Sequence, residues 1–128
     1  MTTEGFSDGG PFEPIAGYRR AVRRGDHIAV SGTTARGAAE SQGTYEQTLD
    51  CLNRVVDAVT ALGGSRQDIV RTRVYLAPRA EWTEAARAHL EVLGDVAPAN
   101  TMLSVAALIG DGLLVEVEAD AELDVRTR

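Results

Sequence analysis

Three residues that often carry chemistry, His27, Cys51 and His89, stand far apart in this chain. They form no HxxxH, CxxC or HExxH spacing, so neighbours in sequence supply no zinc-type ligand set, and none is expected. No Gly-x-Ser-x-Gly elbow is present and no serine is locally paired with a histidine, so a hydrolase triad is not indicated. Gly9-Gly10 and Gly63-Gly64 lack the strand–GxGxxG–helix context of a dinucleotide site. All 13 basic residues are arginine. Without an ε-amine there is no P-loop lysine, no Schiff base and no pyridoxal-phosphate anchor. What remains is a scatter of polar residues near the ends of expected strands: Tyr18, Ser31-Gly32, Asn100-Thr101 and Glu116.

The elements that must position these residues follow from periodicity. Residues 1–13 hold glycines and prolines and read as a flexible lead-in or an arm lying on a partner; residues 14–128 read as one domain. Tyr18 to Arg23 and His27 to Thr33 are expected as two strands joined by the Arg24-Gly25-Asp26 turn. Thr44-Tyr45-Glu46-Gln47 has the form of a capping box. It opens a helix whose apolar stripe is Leu49, Leu52, Val56 and Val59, with Cys51 a small buried hydrophobe beside it; Gly63-Gly64 ends the helix. Ile69 to Ala77 is a third strand closed by Pro78. Trp82, Ala85, Ala86, Leu90 and Leu93 mark a second helix ended by Gly94. Thr101 to Leu108 and Leu113 to Leu123 read as two strands around a Gly110-Asp111-Gly112 turn. The order ββαβαββ predicts an α+β fold with two helices on one face of a mixed sheet. The last strand places Glu116, Glu118, Asp120 and Glu122 on one side. Three of these acids are expected on a solvated face, although apolar positions on both sides of the sheet point to burial against neighbouring subunits.

Composition narrows the function classes. The 128 residues are 44% hydrophobic and 25% charged, ordinary for a globular domain, and the net charge of −6 argues against phosphate-backbone binding, so no nucleic-acid partner is expected. A lone cysteine cannot close an intrachain disulfide, and no apolar run has the length of a membrane span. With no basic-then-apolar leader at the start, a cytoplasmic protein with no membrane partner is the expectation.

The runs Gly17-Tyr18, Ala21-Val22, Gly25-Asp26 and Val30-Ser31-Gly32, then Gln47, Leu62-Gly63-Gly64, Asp68-Ile69-Val70 and Val74-Tyr75-Leu76, and finally Pro98-Ala99-Asn100-Thr101 and Val115-Glu116-Val117-Glu118-Ala119, resemble the Rid superfamily (reactive intermediate deaminases, YjgF type). The likeness spans roughly residues 14 to 122 with the order of elements preserved. It implies a chorismate-mutase-like fold in a homotrimer, with a central sheet barrel, helices outside and small-molecule clefts between subunits. It also implies hydrolysis of imines and enamines to a keto acid and ammonia without cofactor or metal. An older endoribonuclease label attaches to the family, and the acidic balance here gives it little support. By position, Glu116 matches the family's catalytic glutamate, Tyr18 its cleft tyrosine, and Ser31-Gly32 its loop contacts.

The chain departs from that pattern at Asn100, which stands where the deaminases carry a carboxylate-binding arginine. A forked charged contact of about 1.5–3 kcal/mol becomes a neutral amide hydrogen bond of about 0.5–1.5 kcal/mol. Arg19-Arg20 replaces the usual Ser-Gln after the tyrosine, Ala86 stands where a helix asparagine is common, and Met102 where a cysteine is common. Three readings stay open. The first is an imine or enamine hydrolase whose substrate is uncharged or differently anchored. The second is a small-molecule-binding or scaffolding trimer without chemistry. The third is an ordinary 2-imino-acid deaminase with a relocated cation, drawn from Arg73, Arg19 or Arg20. Candidate substrate contacts are therefore Tyr18, Ser31, Gly32, Arg73, Asn100 and Thr101, with Glu116 catalytic.

Overall fold

Six strands form one sheet in the order β1-β2-β3-β6-β4-β5 in the computed structural model of the chain, which describes residues 2–124. They are β1 (Thr3–Phe6), β2 (Ala21–Arg24), β3 (His27–Thr34), β4 (Ile69–Leu76), β5 (Ala99–Ser104) and β6 (Val115–Glu122). The helices are α1 (Phe12–Ala16), α2 (Thr44–Ala61) and α3 (Trp82–Leu93). All neighbours are antiparallel except β4 and β5, which run parallel. Helix α2 lies on β3 and β6, and α3 packs against α2. The α+β class is as the sequence leads one to expect.

Period-two alternation decides which side of β6 meets the helices. Val115, Val117, Ala119 and Ala121 are buried, whereas Glu116, Glu118 and Asp120 are half-buried on the open face and Glu122 is exposed. Ile28, Leu52, Val55, Val59 and Val74 fill the same core, each worth about 1.5–3 kcal/mol of burial. Of the expected α2 stripe, Leu52 and Val59 are fully buried with Cys51 beside them, whereas Leu49 and Val56 are only half-buried and Gln47, Val55 and Ala58 complete the buried face. Burial pushes the Cys51 thiol up to about 12, as befits a small hydrophobe rather than a nucleophile.

Several expectations are corrected. Part of the expected lead-in is regular: β1 pairs with β2 from Thr3↔Arg24 to Phe6↔Ala21, because its backbone groups find partners along that edge. Residues 10–17 then make a turn and α1, closed by Gly17 in the left-handed conformation at φ 77°. The capping box at Thr44 and Gln47 does not form. Gly43 precedes the helix, Thr44 Oγ1 accepts from the Glu81 amide, and the Gln47 side chain is recruited elsewhere. A reciprocal box is found instead at Ser65 and Asp68. Gly94 stays right-handed after α3, and Ala97 takes the left-handed turn at φ 52°. β5 and β6 do not form a hairpin about Gly110-Asp111-Gly112. β5 lies at the sheet edge beside β4, and residues 105–114 carry the chain back to the middle of the sheet.

The open face is also less apolar than expected. Its middle is a charged ladder: Arg73 lies 3.6 Å from Glu118 and 3.3 Å from Asp120, and His27 lies 3.5 Å from Asp120 and 2.6 Å from Glu122. Cross-strand register places Arg73 beside Glu118 and His27 beside Glu122.

Candidate functional site around Glu116

The register of β3 against β6 shifts between Val30 and Thr33, and Gly32 sits in that irregularity. Glu116 lies across from it. A Cβ built on Gly32 would fall 3.0 Å from the Glu116 Cδ and clash with Oε2, so only glycine lets the carboxylate lie over the backbone here. Ser31 ties the strand down: its hydroxyl donates to the Arg19 carbonyl at 2.7 Å and its amide to the Arg20 carbonyl at 3.0 Å. The Arg20 guanidinium donates from Nη2 to the Gly32 carbonyl at 2.6 Å and lies 5.9 Å from the Tyr18 ring centroid. Tyr18, Arg20, Ser31, Gly32 and Glu116 are thus brought together within one chain.

Glu116 is half-buried, and among the described residues nothing donates a hydrogen bond to it or pairs with it within 4 Å. Burial lifts its carboxyl above the usual range; the positive charge of Arg20 opposes that rise and Glu118 adds to it. A carboxyl in this setting holds a proton more readily than a free one, which suits it to proton transfer.

Asn100 is not part of this group. Its register partner is Thr72, on the helix-covered face, and its amide donates to Thr72 Oγ1 at 3.0 Å. Thr72 Oγ1 also lies 2.8 Å from His89 Nε2, an imidazole whose pKa burial pushes down. Asn100 lines a cleft of about 550 Å³ at the sheet edge with Leu76, Trp82, Ala86, Met102, Leu103 and Ser104. Thr101 is exposed on the opposite, open face beside Arg73, whose guanidinium is engaged by Glu118 and Asp120. The sequence candidates therefore divide between two faces of the sheet.

The family profile described as Endoribonuclease L-PSP, the Rid/YjgF group, matches residues 10–123, nearly the whole chain. The chain belongs to the Rid/YjgF family. An uncharacterized protein of Streptomyces coelicolor is 36% identical over 127 residues, covering 94% of this chain and 95% of that one. A RutC family protein of Pyrococcus horikoshii is 26% identical over 120 residues, covering 91% and 94%. The crystal structure of a Mycobacterium tuberculosis member of the YjgF/YER057c/UK114 family superposes with a TM-score of 0.88 at 39% identity, over 95% of this chain and all of that one. No helix among the described residues of this Rid/YjgF protein is long and apolar enough to cross a membrane.

Sequence reasoning missed the residue that shapes the surroundings of the site. Gln47 is fully buried and donates to the carbonyls of Glu40, Gln42 and Gly112 at 3.3, 3.0 and 3.0 Å, while its Oε1 accepts the Leu114 amide at 2.9 Å. It joins two loops far apart in sequence, directly before β6 begins. Its position in the Thr44–Gln47 pattern pointed to a local cap, and only the fold shows the long-range partners.

Proposed function

We propose that this Rid/YjgF protein hydrolyses a small imine or enamine, with Glu116 as the proton-transfer group. The observation that carries this reading is the half-buried Glu116 carboxylate, raised in pKa and unpartnered, laid over the backbone of Gly32. An imine carbon is already electrophilic, so the reaction needs positioning and proton management, and it calls for no cofactor. Water adds to the carbon as Glu116 takes its proton and the C=N electrons move to nitrogen; Glu116 then returns that proton to the nitrogen, giving the carbinolamine. The carboxylate so regenerated takes the carbinolamine's hydroxyl proton and passes it to the amine nitrogen as the C–N bond breaks, so that ammonia leaves and the carbonyl forms. Tyr18 and the Ser31-Gly32 backbone border the space where the substrate would lie.

The substrate is uncharged or anchored otherwise than through position 100. Asn100 is neutral, and its amide already donates to Thr72. Its cleft and Glu116 lie on opposite faces, so a site containing both needs a second copy of the chain. This supports the homotrimer that the family resemblance implies, as do the exposed Trp82 and Leu103, which line the cleft with Asn100. We place this activity in the cytoplasm, with a small molecule and further copies of the chain as partners.

The test is imine decay. Imines are generated by an amino-acid oxidase and trapped with semicarbazide, and carboxylated and carboxylate-free substrates are compared for wild type, Glu116→Gln and Asn100→Arg. Hydrolysis lost in Glu116→Gln supports the reading. Ligand binding without turnover, unchanged in Glu116→Gln, would instead favour a binding protein. Light scattering of the same samples reads the assembly.

A further inference from the structure

A second cavity, of about 350 Å³, lies under the N-terminal segment. Phe12, Tyr18, Arg20, Arg54, Ile109 and Leu113 are among the residues that line it. Thr34 lines it too and is the register partner of Glu116, so the cavity adjoins the proposed site. The charges around it are mostly matched within the protein. Asp8 sits 3.2 Å from Arg36 and 2.8 Å from Arg54, the Glu13 carboxylate accepts from Ser7 and the Gly10 amide, and Glu40 accepts from the Gly37 amide.

Arg20 is the exception. It is only 7% exposed, its Nε is buried without a hydrogen-bond partner, and among the described residues no carboxylate comes within 4 Å of it. Its one hydrogen bond there goes to the Gly32 carbonyl, and what favours its charge is the Tyr18 ring and the carboxylates of Asp8 and Glu13 beyond 4 Å. Burial outweighs them, with the nearby Arg54 cation adding to it, and lowers its pKa. A buried guanidinium favours a planar anion that accepts two parallel hydrogen bonds.

We propose that this cavity binds the carboxylate of a small organic acid, with Arg20 as its principal ligand and Phe12, Ile109 and Leu113 enclosing the apolar part. The Glu116 reading is deepened by this placement and is its premise for catalysis, since a carboxylate held at Arg20 is a substrate anchor within the same chain. A monoanionic carboxylate suits the surroundings better than a phosphate, because Asp8, Glu13, Glu40 and Glu116 would all repel a second negative charge.

Binding is tested without turnover by calorimetric titration of the intact protein with pyruvate, inorganic phosphate and uncharged acetone. Arg20→Gln should weaken pyruvate binding by about tenfold or more, Arg20→Lys should restore part of it, and the exposed Arg24→Gln should change nothing. Ile109 is 82% exposed at the rim, so its variants should fold even if those at Arg20 do not. Ile109→Asp should weaken pyruvate binding and Ile109→Arg should tighten it, each by about threefold. Pyruvate binding indifferent to these changes, or no binding by wild type, overturns the site. Tighter binding of phosphate than of pyruvate overturns its assignment to a carboxylate. Arg20-dependent binding in a protein that hydrolyses no imine keeps this site and removes the catalytic reading; turnover with Arg20-independent binding does the reverse.

Discussion

Glu116 and Glu118 stand two residues apart on one strand and one face, yet the fold treats them oppositely. Glu118 accepts the Tyr75 hydroxyl and lies 3.6 Å from Arg73, and its hydrogen bond raises the Tyr75 phenol. Glu116 is the direct register partner of Tyr75, but that hydroxyl is turned to Glu118, and on its other side the chain presents Gly32 and Thr34. Residue type therefore does not distinguish the two acids; their cross-strand neighbours do. A carboxylate becomes available for chemistry where the sheet withholds a donor from it.

The largest effect that would break this contrast is catalytic. Glu116→Gln should lower imine turnover by at least about a hundredfold, whereas Glu118→Gln should leave the rate near that of wild type. Equal losses in the trapping assay would mean that the open-face acids act together and that Glu116 has no special role. A smaller effect sharpens the geometry. Gly32→Ala keeps every ionisable group but displaces the Glu116 carboxylate, and should cost about ten- to a hundredfold in rate with little change in melting temperature. An unchanged rate would show that the carboxylate need not lie over the backbone.

How much of this was legible beforehand divides along the same line. The alternation of Val115 to Glu122 and the two long helices could be read because burial on one face imposes a period that survives any detail of packing. The position of β5 could not. Gly110-Asp111-Gly112 looks like a hairpin turn, and nothing local shows that Ala99–Ser104 pairs in parallel with β4 instead. Asn100 and Glu116 were grouped because the family resemblance joins them, whereas register in a single chain sets them on opposite faces. Arg20 was one of three candidate cations, and sequence could not separate it from Arg73. The difference is that Arg73 meets two acids across the ladder and Arg20 meets none among the described residues.

The smallest effect to measure is on stability, and its sign is fixed by linkage. Burial raises the Glu116 carboxyl above its ordinary value of 4.5, so the folded protein holds that proton more tightly than the unfolded chain. The stabilisation is fully present below the unfolded pKa and is lost as pH rises through the folded one. Above that window the buried carboxylate burdens the fold. His89 works at the other end: burial lowers its pKa from 6.5, so protonating it costs stability as pH falls below that value. Thermal melts of wild type and Glu116→Gln from about pH 4 to 8 isolate the first contribution, because His89 is common to both proteins. The variant should gain on wild type as pH rises from acid to neutral. A difference that stays flat with pH would mean that Glu116 finds in solution the partner it lacks within the chain, and that the contrast with Glu118 disappears in the assembled protein.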